Sequence, residues 1–355
     1  MAIVWCGGEP VDFPNGSIVV VNITAGNFRS GYGRGCLYSL NIAKSNIFSG
    51  GALTSCWFSA RIYSAASTSD VKIVGLGKLG TDSGIWIGNT GTSKLGLFKF
   101  DGTTLIELDV ESGTTFTAVL HKIDVQITNW GDSANIKVYN DSILIINYTG
   151  DPRPPGIDDL DIVVLMGTTA ILVSEIIIAD EDTRTMSLVT LAPNLAGDLN
   201  QWTGAYTAID EYTIDDADVI YSTVADQDFQ CNLTATPTGT FVVRAIKISA
   251  RAVRGATGIS QIKLGIKSGV SVNVDDAITL STIWETKERL MLVNPVTTNL
   301  FTTAELDALQ INLRSIAAVS ASISPSVSPS ISPSVSESVS SSVSESVSES
   351  SSPSA

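Results

Sequence analysis

Histidine is almost missing from this chain: His121 is the only one in 355 residues. A Ser-His-Asp triad or a histidine zinc site would have to use it, and no second histidine exists to share a metal. Charge is sparse as well, at 16% of residues, and lopsided, with 21 Lys and Arg against 36 Asp and Glu. The resulting net charge of −15 and the lack of any basic cluster exclude a nucleic-acid partner, which needs a cationic footprint on phosphate. They also argue against binding to an anionic membrane surface. No apolar run approaches the ~20 residues that span a bilayer. The first ten residues, MAIVWCGGEP, have neither a basic start nor a long apolar stretch, so no signal peptide is expected. The four cysteines, Cys6, Cys36, Cys56 and Cys231, show no CxxC spacing. Most sit in apolar stretches, which predicts buried free thiols rather than a disulfide framework. A P-loop, a GxGxxG loop and a nucleophile elbow are all lacking.

What the chain does have is β pattern. Apolar residues make up 44%, enough for two cores at this length. The organising stretch is residues 171–204, ILVSEIIIADEDTRTMSLVTLAPNLAGDLNQWTG. Ile171 to Ala179 reads as a strand buried on both faces. Asp180-Glu181-Asp182 then breaks it, and Pro193, Asn194 and Gly197 are loop formers. The expected architecture is all-β. Residues 1–183 form a concanavalin A-like jelly-roll sandwich, 184–199 a linker, and 200–317 a second, smaller β-sandwich.

Local signals support that division. In His121–Thr128, Ile123, Val125 and Ile127 alternate with Lys122, Asp124, Gln126 and Thr128, so one face is buried and the other polar. Asp101-Gly102 predicts a hairpin turn. In the second half Phe241–Arg254 reads as a long strand, and Thr302 with Glu305 stands in capping-box register for one short helix. From residue 318 to 355 the chain becomes a four-residue Ser-Ile/Val-Ser-Pro/Glu repeat without aromatic residues, Lys or Arg. One branched aliphatic in four buries too little area to offset the ordering entropy, so a disordered tether on the order of 100 Å long is expected. Strand pairing between copies in an oligomer is the competing expectation.

Three groups of residues bear on chemistry. Glu107, Asp109 and Glu111 would share one face of a strand, and retaining glycosidases need two carboxyl groups about 5–5.5 Å apart. The Glu-x-Asp-x-Glu pattern resembles laminarinase- and lichenase-type glycoside hydrolases, a likeness that would make Glu107 nucleophile, Glu111 acid/base and Asp109 their helper. The competing reading is the solvent-facing side of an ordinary strand. Asp158, Asp159 and Asp161 follow a proline-rich loop, where close carboxylates could hold calcium, the one cofactor weighed; a solvated loop competes. Among the tryptophans, Trp57 sits in an apolar run and reads as core. Trp86, Trp130 and Trp202 lie beside Gly, Asn or Asp, as rim residues that stack on sugar rings would. Packing inside or between domains competes for each.

A resemblance runs beyond single motifs. HKIDVQITNWGDSANIKVYNDSILIINYTGD, His121 to Asp151, is similar to the hairpin half of laminin-G/concanavalin A-like domains. SEIIIADEDTRTMSLVTLAPNLAGDLNQWTG resembles a junction in tailed-phage virion proteins. Those continue into a second β domain with a turn like Thr303 to Leu309. The likeness covers roughly residues 120–316. It implies a non-enzymatic virion protein, assembled with other virion proteins and with copies of itself, that contacts host surface polysaccharide. It carries over no catalytic residue. A free carbohydrate-binding module of a cell-surface protein is the remaining alternative.

Overall fold

The computed structural model describes residues 3–7, 18–19, 37–39, 54–64, 70–77, 83–113, 116, 119–158, 163–166, 171–210, 216–239, 241–255 and 259–317. Cys36, Asp159, Asp161 and the repeat at 318–355 lie outside them.

The chain is all-β. Its first strands are β1 (Ile3–Gly7), β2 (Ile18–Val19), β3 (Leu37–Ser39), β4 (Cys56–Ser64), β5 (Val71–Gly77) and β6 (Gly84–Asn89). There follow β7 (Leu95–Phe100), β8 (Leu105–Val110), β9 (Leu120–Thr128), β10 (Ala134–Asn140), β11 (Ile143–Gly150), β12 (Val163–Met166) and β13 (Ile171–Ala179). They build two antiparallel sheets. One is ordered β11-β10-β9-β4-β13-β3-β2, with β1 also on β13; the other is β12-β5-β6-β7-β8. Crossovers such as β4 between β9 and β13 are those of a jelly roll.

Between the sheets lies one core. Phe58, Ala60, Ile62, Ile123, Val125, Ile127, Ile136, Val138 and Ile178 from the large sheet meet Ile73, Leu76, Ile85, Ile87, Leu95 and Leu97 from the small one. Burying each such side chain contributes about 1.5–3 kcal/mol. β-branched residues at every second position satisfy the strand backbone and the core together. Asp101 closes the β7–β8 hairpin: its carboxylate accepts hydrogen bonds from the Thr103 and Thr104 amides at 2.8 and 2.7 Å. Gly102 supplies the positive φ of 97° that the turn needs.

The second half holds β14 (Pro193–Asn200), β15 (Asp228–Leu233), β16 (Ile246–Ala252), β17 (Gln261–Ser268), β18 (Ser271–Val274), β19 (Ile278–Thr279), β20 (Glu285–Met291), the helix α1 (Thr303–Asp307) and β21 (Gln310–Ile316). A sheet ordered β14-β15-β21-β17-β18, with β19 on β17, is accompanied by a β16-β20 ribbon. Ile248 and Met291 of the ribbon share a core with Leu264, Ile266 and Leu309. The capping box forms as expected: the Thr302 hydroxyl accepts from the Glu305 amide at 3.1 Å, and Glu305 accepts from the Thr302 amide at 2.7 Å.

Two expectations need correction. Residues Pro193–Asn200, expected as linker, form the edge strand β14. An edge position tolerates a proline at the first residue. At Gly197 an added Cβ would come within 2.6 Å of the Gln230 backbone, so the glycine marks close approach rather than a loop. The long strand expected over Phe241–Arg254 starts only at Ile246; Phe241 and Val242 are exposed. As expected, Cys6, Cys56 and Cys231 are buried and outside any disulfide, and burial pushes the Cys56 and Cys231 thiols up to about 12.

Candidate functional site: the outer face of the large sheet

On β4, β9, β10 and β11 the residues alternating with the core point to the other side of the large sheet. Trp57 lies between the core residues Cys56 and Phe58, Gln126 between Val125 and Ile127, and Lys137 between Ile136 and Val138. Strand register lines them up: Trp57 opposite Gln126, Gln126 opposite Lys137, and Lys137 opposite Asn147. A second row runs Thr128, Asn135, Thr149, and a third Ser59, Asp124, Tyr139.

The segment after β13 crosses this face and divides it. Under the segment the polar groups are buried and tied together. The Lys122 ammonium donates to the Thr183 and Arg184 carbonyls at 2.6 and 2.9 Å and lies 3.2 Å from Asp124. The Thr183 hydroxyl donates to Asp124 at 2.7 Å. Burial lowers the Lys122 pKa, against the opposing charge and hydrogen bond of Asp124. Arg61 pairs with Glu175 at 3.1 Å. Glu175 sits at a bulge of β13 with φ 48° and also accepts from the Leu188 amide at 3.3 Å. So the acidic break after Ala179 is a strap fastened by buried charge.

Beyond the strap the face is accessible. Trp57, Gln126, Lys137 and Asn135 are half-buried, and Asn147 and Thr149 are exposed. Trp57 stacks beside Tyr139 with ring centroids 5.8 Å apart. The Arg184 guanidinium lies 5.5 Å from the Trp57 ring and 4.6 Å from that of Tyr139. Asp182 holds Arg184 through hydrogen bonds of 2.9 and 2.5 Å, and those bonds keep the Asp182 carboxyl below its ordinary range. The Asn135 amide donates to Asn147, the Tyr148 carbonyl and Thr149 at 3.0–3.1 Å. The side chains of Gln126 and Lys137, in contrast, make no hydrogen bond or ion pair among the described residues. The arrangement offers an aromatic plate, an amide and an ammonium in line, the chemistry that meets the apolar and hydroxyl faces of a sugar.

The apolar run around Trp57 hides this assembly in the sequence, where the residue reads as core. The period-2 alternation of Cys56-Trp57-Phe58 could have found it: if both neighbours are buried, the residue between them faces the other way.

The candidate residues that the sequence offers fall elsewhere. Trp86 is 1% exposed and clusters with Phe98 on the small sheet, with the Lys72 ammonium 4.8 Å from its ring. Trp130 is 9% exposed and belongs to the main core; Asn129 at φ 55° turns the chain there. Packing therefore accounts for both, and neither is a rim residue. Trp202 is half-buried: its indole donates to the Gln227 carbonyl at 3.0 Å and the ring lies against Phe229.

The carboxylate trio does not share one face. Asp109 registers with Leu97 and Glu107 with Phe98, so Leu108 is a bulge residue. Leu97 and Phe98 belong to opposite faces of the small sheet, which separates Glu107 from Asp109. Glu111 lies past the end of β8 and is only 8% exposed. Asp158 is exposed and stands 3.9 Å from Arg153. That guanidinium also pairs with Asp151 and Asp132, so an arginine already supplies the positive charge at these carboxylates. Asp159 and Asp161 lie outside the described residues. His121 stacks on Phe116 at 4.4 Å and meets Asp141 at 3.1 Å.

No family model matches the chain. No curated protein matches it significantly. Among solved structures, a Trypanosoma rangeli sialidase aligns at 10% identity and TM-score 0.33 over 50% of this chain and 31% of its own. The chain therefore spans about a third of that enzyme. A Caenorhabditis elegans galectin aligns at 9% identity and TM-score 0.28 over 39% of this chain and 89% of its own. The carbohydrate-binding module CBM66 of Bacillus subtilis aligns at 11% and 0.26 over 46% and 88%. Likeness at this level concerns strand layout and says nothing of a ligand.

Proposed function

We propose that this is a non-catalytic surface component of a tailed-phage particle, and that its first sandwich contacts host polysaccharide through the accessible half of the large sheet. The observation that carries the reading is the row Trp57, Gln126, Lys137, Asn147: an aromatic ring beside Gln126 and Lys137, whose side chains have no partner among the described residues, and beside the exposed Asn147. The sequence resemblance over residues 120–316 supports the particle setting. The separation of Glu107 from Asp109 by the β8 bulge speaks against the hydrolase reading. Contact through rigid strands favours weak sites used in several copies, since avidity multiplies modest affinity.

The test has two arms. The full chain is screened on an array of bacterial surface glycans beside Trp57→Ala and Gln126→Ala, and purified particles are analysed by mass spectrometry. Glycan binding without turnover, weakened at least ten-fold in both variants, is expected, with the protein found in the particles. Absence from particles overturns the virion assignment. Failure of the unaltered chain to bind any glycan overturns the contact role.

A further inference from the structure

Resting on that reading, we infer that the saccharide taken by this face is acidic, with a uronic- or sialic-type carboxylate set against Lys137.

The argument is one of unmatched charge. Among the described residues, the other cations on this side of the sheet have their anions: Arg61 has Glu175 at 3.1 Å, Lys122 has Asp124 at 3.2 Å, and Arg184 has Asp182 at 2.5 Å. Lys137 alone has no partner among the described residues, on a chain whose net charge is −15. It is half-buried, so part of its hydration is already lost. Asp124, one diagonal step away by register, is fully buried and committed to Lys122 and Thr183. The immediate cross-strand neighbours, Gln126 and Asn147, are neutral.

The surroundings then define the ligand. Neighbours across strands lie about 5 Å apart, so Trp57 stands about 10 Å from Lys137, two strand spacings away. A ring stacked on Trp57 would have its next unit over Gln126 and a carboxylate within reach of the ammonium. A carboxylate gains a charge-assisted hydrogen bond there; a hydroxyl gains an ordinary one. The overall negative charge repels polyanions at long range. Recognition must therefore come from this local contact, and added salt should weaken it only modestly.

The experiment uses the full chain and a panel of uronate- and sialate-bearing oligosaccharides, each paired with its carboxyl-reduced counterpart, by isothermal titration. At least one acidic member is expected to bind about ten-fold more tightly than its reduced form. Lys137→Gln should abolish that preference, bringing the acidic member down to the level of its reduced form with thermal unfolding unchanged, and Lys137→Arg should restore most of it. Equal binding of acidic and reduced forms, or a preference that survives in Lys137→Gln, overturns this inference and leaves the glycan-contact reading standing. If neither form of any member binds, this inference is overturned as well, and the surface-glycan array decides whether the contact reading falls with it.

Discussion

The two sandwiches each turn a polar sheet face away from their core, and the two faces use their polarity in opposite ways. In the second sandwich, Asp228 accepts from Arg314 at 2.8 and 2.6 Å and from Asn312 at 3.0 Å. Gln230 donates to Asn312 at 2.7 Å, Gln310 exchanges hydrogen bonds with Asp198, and Asn232 donates to the Ala196 carbonyl. Nearly every polar group is spent inside the fold. On the first sandwich the charged groups under the strap are likewise paired within the fold, but beyond Trp57 Gln126 and Lys137 have no partner among the described residues. Polar composition does not mark a binding surface. What marks it is polar groups that folding leaves unspent, because only these can reward a ligand without breaking something else.

The sharpest way to break this comparison is at the buried half of the first face. Asp124→Ala would leave the Lys122 ammonium buried without its counter-charge and the Thr183 hydroxyl without its acceptor. A loss of about 3–5 kcal/mol is expected, the usual result of removing one partner of a buried pair. Urea unfolding measures it. The double variant Lys122→Met with Asp124→Leu should recover much of the loss; an unchanged midpoint in Asp124→Ala would mean that the strap is not fastened by charge.

Acid addresses the closed face of the second sandwich. Burial alone would push the Asp228 carboxyl up, but the hydrogen bonds from Arg314 and Asn312 and the charge of Arg314 outweigh it and hold the group below 3.8. The folded chain thus binds this proton less readily than the unfolded chain. The contribution to stability is complete above about pH 4 and is lost as pH falls through the lowered value. Asp228→Asn should flatten this part of the acid-unfolding curve. An identical curve in the variant would show that the network is not what acid attacks.

Much of the frame was legible from residue pattern. Leu105–Val110 and Ile171–Ala179 are strands over the expected residues, because β-branched runs bounded by turn formers leave little choice of structure. Asp101-Gly102 and Thr302 with Glu305 declare their turn and cap through local hydrogen bonding alone. The site was less legible, since it depends on what is opposite what. A bulge at Leu108 separates Glu107 from Asp109 without a glycine to announce it. Pro193 and Gly197 look like loop residues until an edge position and the close approach of Gln230 explain them. Trp57 reads as core because its neighbours are core, and only the sheet's two-sidedness separates them. Lys122 and Asp124 read as solvent-facing because the strap that buries them is 60 residues away in the sequence, at Thr183 and Arg184.

The smallest expected effect is the most telling. Gln126 and Asn147 occupy the same face as Asp124, on the same strand and the next strand but one, yet among the described residues Gln126 makes no side-chain hydrogen bond and Asn147 accepts one, from Asn135 at 3.0 Å. If the accessible half is kept for a ligand, Gln126→Ala and Asn147→Ala should each alter stability by no more than about 0.5 kcal/mol, as substitutions outside packed or networked positions do. The strands tolerate alanine there because the core side chains on either side, Val125 and Ile127 or Ile146 and Tyr148, are untouched. Urea midpoints of the two variants against the parent decide the point. A loss above about 1 kcal/mol in either would place the residue in the structural network, and the boundary drawn at Trp57 between a spent and an unspent surface would have to move outward by at least one strand.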